Sequence, residues 1–152
     1  MKMVLLFEVY HRFYDQLDGL IEEQIQNGPQ SCRAEFADDA LAALKRRGFS
    51  AEESDRYFAL FFQVRRAHHF ITRGLIGESE CMREFRRHLW NNVFTHDIRH
   101  YDRFFHDRME DYSTLLLGDT GTGKGTAAAA IGRSGFIPFD RRKKAFKECF
   151  TR

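Results

Sequence analysis

Proline is scarce in this chain, with two in 152 residues. Cysteine is almost as thin: Cys32, Cys81 and Cys149 stand far apart and form no C-x-x-C pair. That removes the close ligand spacing a structural zinc site uses. An odd count without a signal peptide fits reduced thiols in a cytoplasmic protein, each expected as a buried, unreactive side chain. Long apolar runs are missing too, and nothing approaches the ~20 residues of a membrane-spanning helix. The apolar opening from Met3 to Phe7 is broken by Glu8, His11 and Arg12, and no small-residue cleavage site comes after it. Charge of one sign is not in excess either: 24 Lys and Arg face 22 Asp and Glu, for a net of +2. The composition therefore makes no global case for a nucleic-acid or membrane-surface binder. No repeat or low-complexity tract is visible.

The chain is rich in phenylalanine, with sixteen, which excludes a disordered polypeptide. Its length suits one modest domain or two small ones. From Val4 to Ile25 apolar residues recur at helical spacing, through Leu6, Val9, Tyr10, Phe13, Leu17, Leu20 and Ile21. Gly28-Pro29 ends that helix. A second helix is predicted over 33–45, with Phe36, Ala40, Leu41 and Leu44 on one face and Gly48 as its C-terminal cap. A third starts at Ser50, where Glu53 three residues on completes a capping box. It carries Tyr57, Leu60, Phe61, Val64 and Phe70 and ends at Gly74. Residues 1–73 thus read as a small all-helical unit whose aromatics serve core packing, with no catalytic constellation.

A second region, 74–152, opens at Leu75-Ile76-Gly77-Glu78-Ser79. Ser79 is a plausible N-cap for a helix bearing Met82, Phe85 and Leu89. A charged, aromatic stretch from Trp90 to Asp111 leads to the apolar run Tyr112 to Leu117. That run is expected as a strand, because a glycine loop and a helix come directly after it. Gly118-Asp119-Thr120-Gly121-Thr122-Gly123-Lys124 fits G-x-x-x-x-G-K, and Gly125-Thr126 completes the loop. The physics asks for these residue types. The chain must wrap a phosphate and enter a helix within a few residues, and glycines permit positive φ and close backbone approach. The freed N–H groups form an anion nest, and the helix beginning near Gly123 adds its positive dipole end. Lys124 then sets an ammonium between the terminal phosphates of a bound nucleotide. The run Ala127 to Ala130 favours a helix immediately afterward. Gly125 stands where most such loops place the Ser or Thr that binds Mg2+, so Thr126 or water takes that role.

The run Leu115 to Lys124 resembles the Walker A motif of sigma-54-dependent transcriptional activators, the bacterial enhancer-binding proteins of the AAA+ class. Their loop reads G-E-T-G-T-G-K-E, so a residue without a hydroxyl after the lysine is usual there. Upstream, Ile76-Gly77-Glu78-Ser79-Glu80-Cys81-Met82 is similar to the I-G-x-S-x-x-M that opens the family's ATPase domain. The two motifs occur in the family's order, and Trp90 to Asp111 looks like an insertion between them. The resemblance covers about residues 75–140. It implies an α/β fold: a helical N-terminal regulatory unit, then the start of a P-loop AAA+ αβα domain. It also implies ATP and Mg2+ as cofactors, sigma-54 RNA polymerase as partner, and a homo-oligomeric ring in the full-length protein.

Later parts of the family's apparatus are missing. After Lys124 come 28 residues, with no Walker B acidic pair, no G-A-F-T-G-A loop, no arginine finger and no helix-turn-helix. Phosphoryl transfer rests on positioning and charge stabilisation, so this polypeptide is expected to bind ATP without useful hydrolysis, as the front part of an activator. Two other readings stand beside it. Gly-Lys-Gly-Thr also resembles nucleotide kinases, which carry the loop at the N-terminus and need a longer downstream part. A non-enzymatic helical interaction module, with the loop serving as structure, is the third.

His96 and His100 have the i, i+4 spacing of helix-borne metal ligands, with Asp97, Asp102, His106 and Asp107 nearby. The alternation of acids and bases there fits ion pairs on a solvated face better, and no metal site is assigned. His68-His69 are expected at a helix C-terminus, where cations suit the dipole. The basic run Arg141, Arg142, Lys143, Lys144, Lys147 and Arg152 reads as a solvated connection, and Pro138 as part of a turn into a strand.

Overall fold

The computed structural model describes residues 2–95, 98–106, 108 and 113–151. His96, Asp97, Asp107, Asp111, Tyr112 and Arg152 lie outside them. The chain is mostly helical: α1 (Lys2–Asn27), α2 (Ala37–Arg46), α3 (Ala51–Ala67), a π-helical turn (His68–Arg73), α4 (Glu80–Phe94), α5 (Ile98–Phe104) and α6 (Lys124–Gly132). Two-residue strands β1 (Phe139–Asp140) and β2 (Ala145–Phe146) make the one sheet among the described residues. The chain divides into two compact units, Met1–Arg65 with Ile137–Arg152, and Arg66–Phe136.

In the first unit the predicted apolar stripe of α1 is the buried one: Leu6, Val9, Phe13, Leu17, Leu20 and Ile21 are all at most 6% exposed. α2 presents Ala37, Ala40, Leu41 and Leu44 to the same core. Its end is set by sequence. Gly48 has φ +86°, and the Gly48 and Phe49 amides donate to Lys45 O and Leu44 O. That is a Schellman arrangement, whose left-handed residue favours glycine, and it buries Phe49 and Leu44 together. The capping box opening α3 forms as expected, with Ser50 N donating to Glu53 Oε2 (2.8 Å) and Glu53 N to Ser50 Oγ (3.1 Å).

Two features of this unit depart from expectation. α2 begins at Ala37, not at 33, because Arg33 forms a β-bridge with Ala145 and Ala34 N donates to Lys144 O at 2.8 Å. A ladder partner from far along the chain outweighs local helix propensity there. The C-terminal segment also packs with the first unit. β1 and β2 pair antiparallel, Phe139 against Phe146 and Asp140 against Ala145. Phe146 stacks on Phe62 with centroids 3.9 Å apart, and Phe139 meets Phe58 edge-on at 4.9 Å. Arg141 to Lys144 of the basic run form the β-turn between the strands. Asp140 Oδ1 accepts from the Arg142 and Lys143 amides, Arg141 pairs with Asp55, and Lys144 pairs with Asp38. Pro138 directly precedes β1, but no turn is formed at 136–138 and β1 is the first strand among the described residues rather than a second one. Arg65 closes the unit's edge by binding Asp18 through Nε (2.7 Å) and Nη2 (2.6 Å), and this hydrogen-bonded carboxylate raises the guanidinium's pKa.

In the second unit α4 starts on Ser79, whose hydroxyl accepts from Met82 N at 3.4 Å. Its buried face, Leu89, Val93 and Phe94, and the π-helical turn carrying Ile71 both pack on α6. Ala127 and Ala130, three apart, are the buried pair of the alanine run, and their small side chains permit close helix approach. The π-helical turn is not foreseen from the sequence, and it holds the His68-His69 pair.

Candidate functional site

The loop 118–123 turns on glycines. Gly118, Gly121 and Gly123 have φ of +156°, +84° and +83°. A Cβ on Gly118 would lie 3.0 Å from Thr122 Oγ1, while one on Gly121 or Gly123 would meet nothing within 4 Å. Backbone conformation therefore restricts all three positions, and close approach adds to it at the first. Thr122 folds the loop on itself, its hydroxyl donating to Asp119 O at 2.8 Å.

α6 comes at once after the loop. Gly123 is its left-handed N-cap, and no side chain caps it. The first bond of the helix is Ala127 N to Gly123 O, at 3.0 Å. The amides of Gly123, Lys124, Gly125 and Thr126 have no backbone acceptor among the described residues, as the open first turn of a helix leaves them. Lys124 curls back over the loop, its Nζ donating to Gly118 O (2.8 Å) and Asp119 O (2.6 Å). The ammonium thus lies against the loop's own carbonyls. Gly118, Asp119, Thr120, Gly121, Thr122, Gly123, Gly125 and Thr126 are exposed, and Lys124 is half-buried. The nine positions therefore form one contiguous surface segment, the loop 118–123 and the first turn of α6.

The segment before the loop corrects the sequence expectation. Ser113 to Leu117 is not a strand, and no parallel sheet occurs among the described residues. Leu115 and Leu117 are 81% and 83% exposed, while Leu116 turns toward α6. The physical reason is the lack of a neighbour. A strand exists through its ladder partner, and among the described residues no second strand lies alongside. Ile76 is 91% exposed, and Gly77, with φ +132°, lies against Met82.

One residue that sequence reasoning passed over is Arg66. It is fully buried, and its Nη1 donates to Arg133 O at 2.7 Å while Nη2 donates to Gly135 O. It thereby holds the chain leaving the C-terminal end of α6, where a cation also suits the dipole. A lone arginine in an Arg-rich helix carries no signal of this in sequence. Of the conceivable metal cluster, His96, Asp97 and Asp107 lie outside the described residues. Among the described residues no group of three metal-ligating side chains converges. All three cysteines are free. Cys32 is buried, Cys149 is half-buried, and Cys81 is exposed rather than buried as expected. Burial pushes the Cys32 thiol's pKa up, which suits an unreactive side chain. No helix among the described residues is long and apolar enough to cross a membrane.

No family model, no curated protein and no solved structure matches this chain.

Proposed function

We propose that the loop Gly118–Thr126 binds the phosphates of ATP, in a protein of the kind the sigma-54 activator resemblance implies. The observation that carries this reading is the combination at the start of α6. Among the described residues, four consecutive amides lack backbone acceptors beside an ammonium held by two loop carbonyls. Helix N-termini with free N–H groups are anion sites, and a lysine adds a mobile point charge. Backbone N–H groups from Asp119 to Thr126 would take phosphate oxygens, and Lys124 would exchange its carbonyls for the β and γ phosphates. Mg2+ fits less well on protein groups alone. Gly125 offers no hydroxyl, so the ion would rest on phosphate oxygens and water, with Thr126 as the nearest loop hydroxyl.

On this reading the protein acts in transcription regulation in the cytoplasm. Its N-terminal helical unit would be regulatory, and its partner would be sigma-54 RNA polymerase, engaged by a ring of subunits. The AAA+ αβα domain belongs to the proposal. The exposed Leu115 and Leu117 are compatible with it, since they form an apolar segment without a sheet neighbour among the described residues.

A second reading has its own observation. Lys124 already bridges Gly118 O and Asp119 O, so its ammonium is satisfied within the loop, which then serves as structure in a non-enzymatic module.

Titration with a fluorescent ATP analogue separates them. A charge-assisted bond of about 1.5–3 kcal/mol predicts that Lys124→Ala weakens binding roughly 10- to 100-fold. Unchanged affinity in the variant, or no binding by wild type, rejects the phosphate site. ATP turnover by the wild-type chain would reject the expectation of binding without hydrolysis.

A further inference from the structure

In the first unit α1 carries two apolar faces, and the core takes one of them. Leu6, Val9, Phe13 and Leu17 lie on the buried face. Val4, Phe7, His11 and Tyr14 follow one another at three- and four-residue steps, so they share a second face. All four are exposed, Val4 at 70% and Phe7 at 64%. Their rings line up along the helix, His11 meeting Phe7 at 4.1 Å and Tyr14 at 5.9 Å, both edge-on. A contiguous exposed apolar patch marks an interaction surface, and this stepping is that of a seam that receives a second helix.

Charge says which helix. Glu8, Asp15 and Glu22 stand seven residues apart, so they form one row along an edge of the seam. All three are exposed. Glu8 pairs with Arg47, whereas Asp15 and Glu22 have no ion pair among the described residues. A second copy of this chain would set the acidic row against itself when antiparallel. When parallel it would set the row on the edge of Met3 and Tyr10, which offers no cation. The complement of this face is therefore a basic edge, not another α1. The unit also shows how a cation sits here. Arg65 lies over the Tyr14 ring at 5.5 Å while its guanidinium binds Asp18, so ring and carboxylate act together on one arginine.

We propose that this face of α1 docks an amphipathic helix of another protein, whose apolar seam lies on Phe7 and Tyr14 and whose arginine and lysine edge meets Glu8, Asp15 and Glu22. The proposal is independent of the phosphate-loop reading, which concerns the second unit.

The probe is a fluorescently labelled three-heptad helical peptide with leucine along its seam and arginine along its edges, set against the same peptide with glutamate edges. Anisotropy titration of the full chain should give a Kd at or below about 100 μM for the arginine peptide, and at least about tenfold weaker binding for the glutamate peptide. Phe7→Ser should weaken the arginine peptide at least about tenfold, the loss of an aromatic anchor, with far-UV circular dichroism unchanged. Asp15→Lys with Glu22→Lys should reverse the preference, so that the glutamate peptide binds the tighter. Glu80→Lys with Glu84→Lys, on α4 in the second unit, makes the same change in net charge and should leave the preference as it is. Should Phe7→Ser misfold, the edge reversal decides, because Asp15 and Glu22 are exposed. The proposal is overturned by equal affinity for the two peptides, by full affinity in folded Phe7→Ser, by an unchanged preference in the edge variant, by the same reversal in the α4 control, or by sedimentation velocity showing a dimer that Phe7→Ser dissolves.

Discussion

Replacing Phe146 by alanine tests whether the C-terminal segment is part of the first unit's core. Phe146 is 6% exposed and belongs to an aromatic cluster. It stacks on Phe62 at 3.9 Å and 16°, lies 5.7 Å from Phe58, and meets Phe139 at 5.3 Å across the two-stranded ladder. Removing a buried phenyl ring costs about 3–5 kcal/mol, because transfer free energy and cavity costs add. Each lost aromatic pair adds roughly 0.5–1.5 kcal/mol beyond area. A loss of about 3–5 kcal/mol is therefore expected. The assay is urea unfolding of the full chain, monitored by far-UV circular dichroism, with Lys147→Ala as an exposed control. The midpoint should fall for Phe146→Ala with little change for the control. A loss under about 0.5 kcal/mol, the range of ordinary surface substitutions, would refute the assignment of residues 137–152 to this core. It would leave the tail outside the first unit, as the sequence division at 73 and 74 supposed.

Arg66→Lys keeps the charge but loses the fork that reaches Arg133 O and Gly135 O. A cost of about 1–3 kcal/mol is expected, together with faster amide exchange over 133–136, and unchanged exchange would show that the clamp is not needed. Ser50→Ala removes one half of the capping box and should cost about 1 kcal/mol in urea unfolding, whereas a neutral result would mean that α3 is held entirely by packing. Asp140 is held below the usual aspartate range, first by the Lys143 amide and then by that of Arg142. A carboxylate lowered in the folded state stabilises above its unfolded pKa of about 4, and that contribution fades as pH falls through the lower folded value. Asp140→Asn should therefore flatten the decline of melting temperature below about pH 4, and parallel wild-type and variant curves would contradict the turn's geometry.

Much of the helical part was legible because its signals are local. The stripe from Leu6 to Ile21, the reciprocal Ser50–Glu53 cap, the Ser79 N-cap and the Gly48 stop each depend on residues within a few turns. The glycine pattern of 118–123 likewise carried its own bend, since positive φ at Gly121 and Gly123 is a property of residue type.

Long-range partners decided the rest. The Arg33–Ala145 bridge shortened α2, and the Phe62–Phe146 stack drew the tail to the first unit. A strand was expected up to Leu117, but hydrophobicity can propose a strand and only a neighbouring ladder can make one. Arg66 and His106 show the same division of labour. Sequence determines what a side chain can donate or accept. Burial by distant parts of the chain determined that Arg66 grips two carbonyls and that His106 Nδ1 is buried without a hydrogen-bond partner among the described residues.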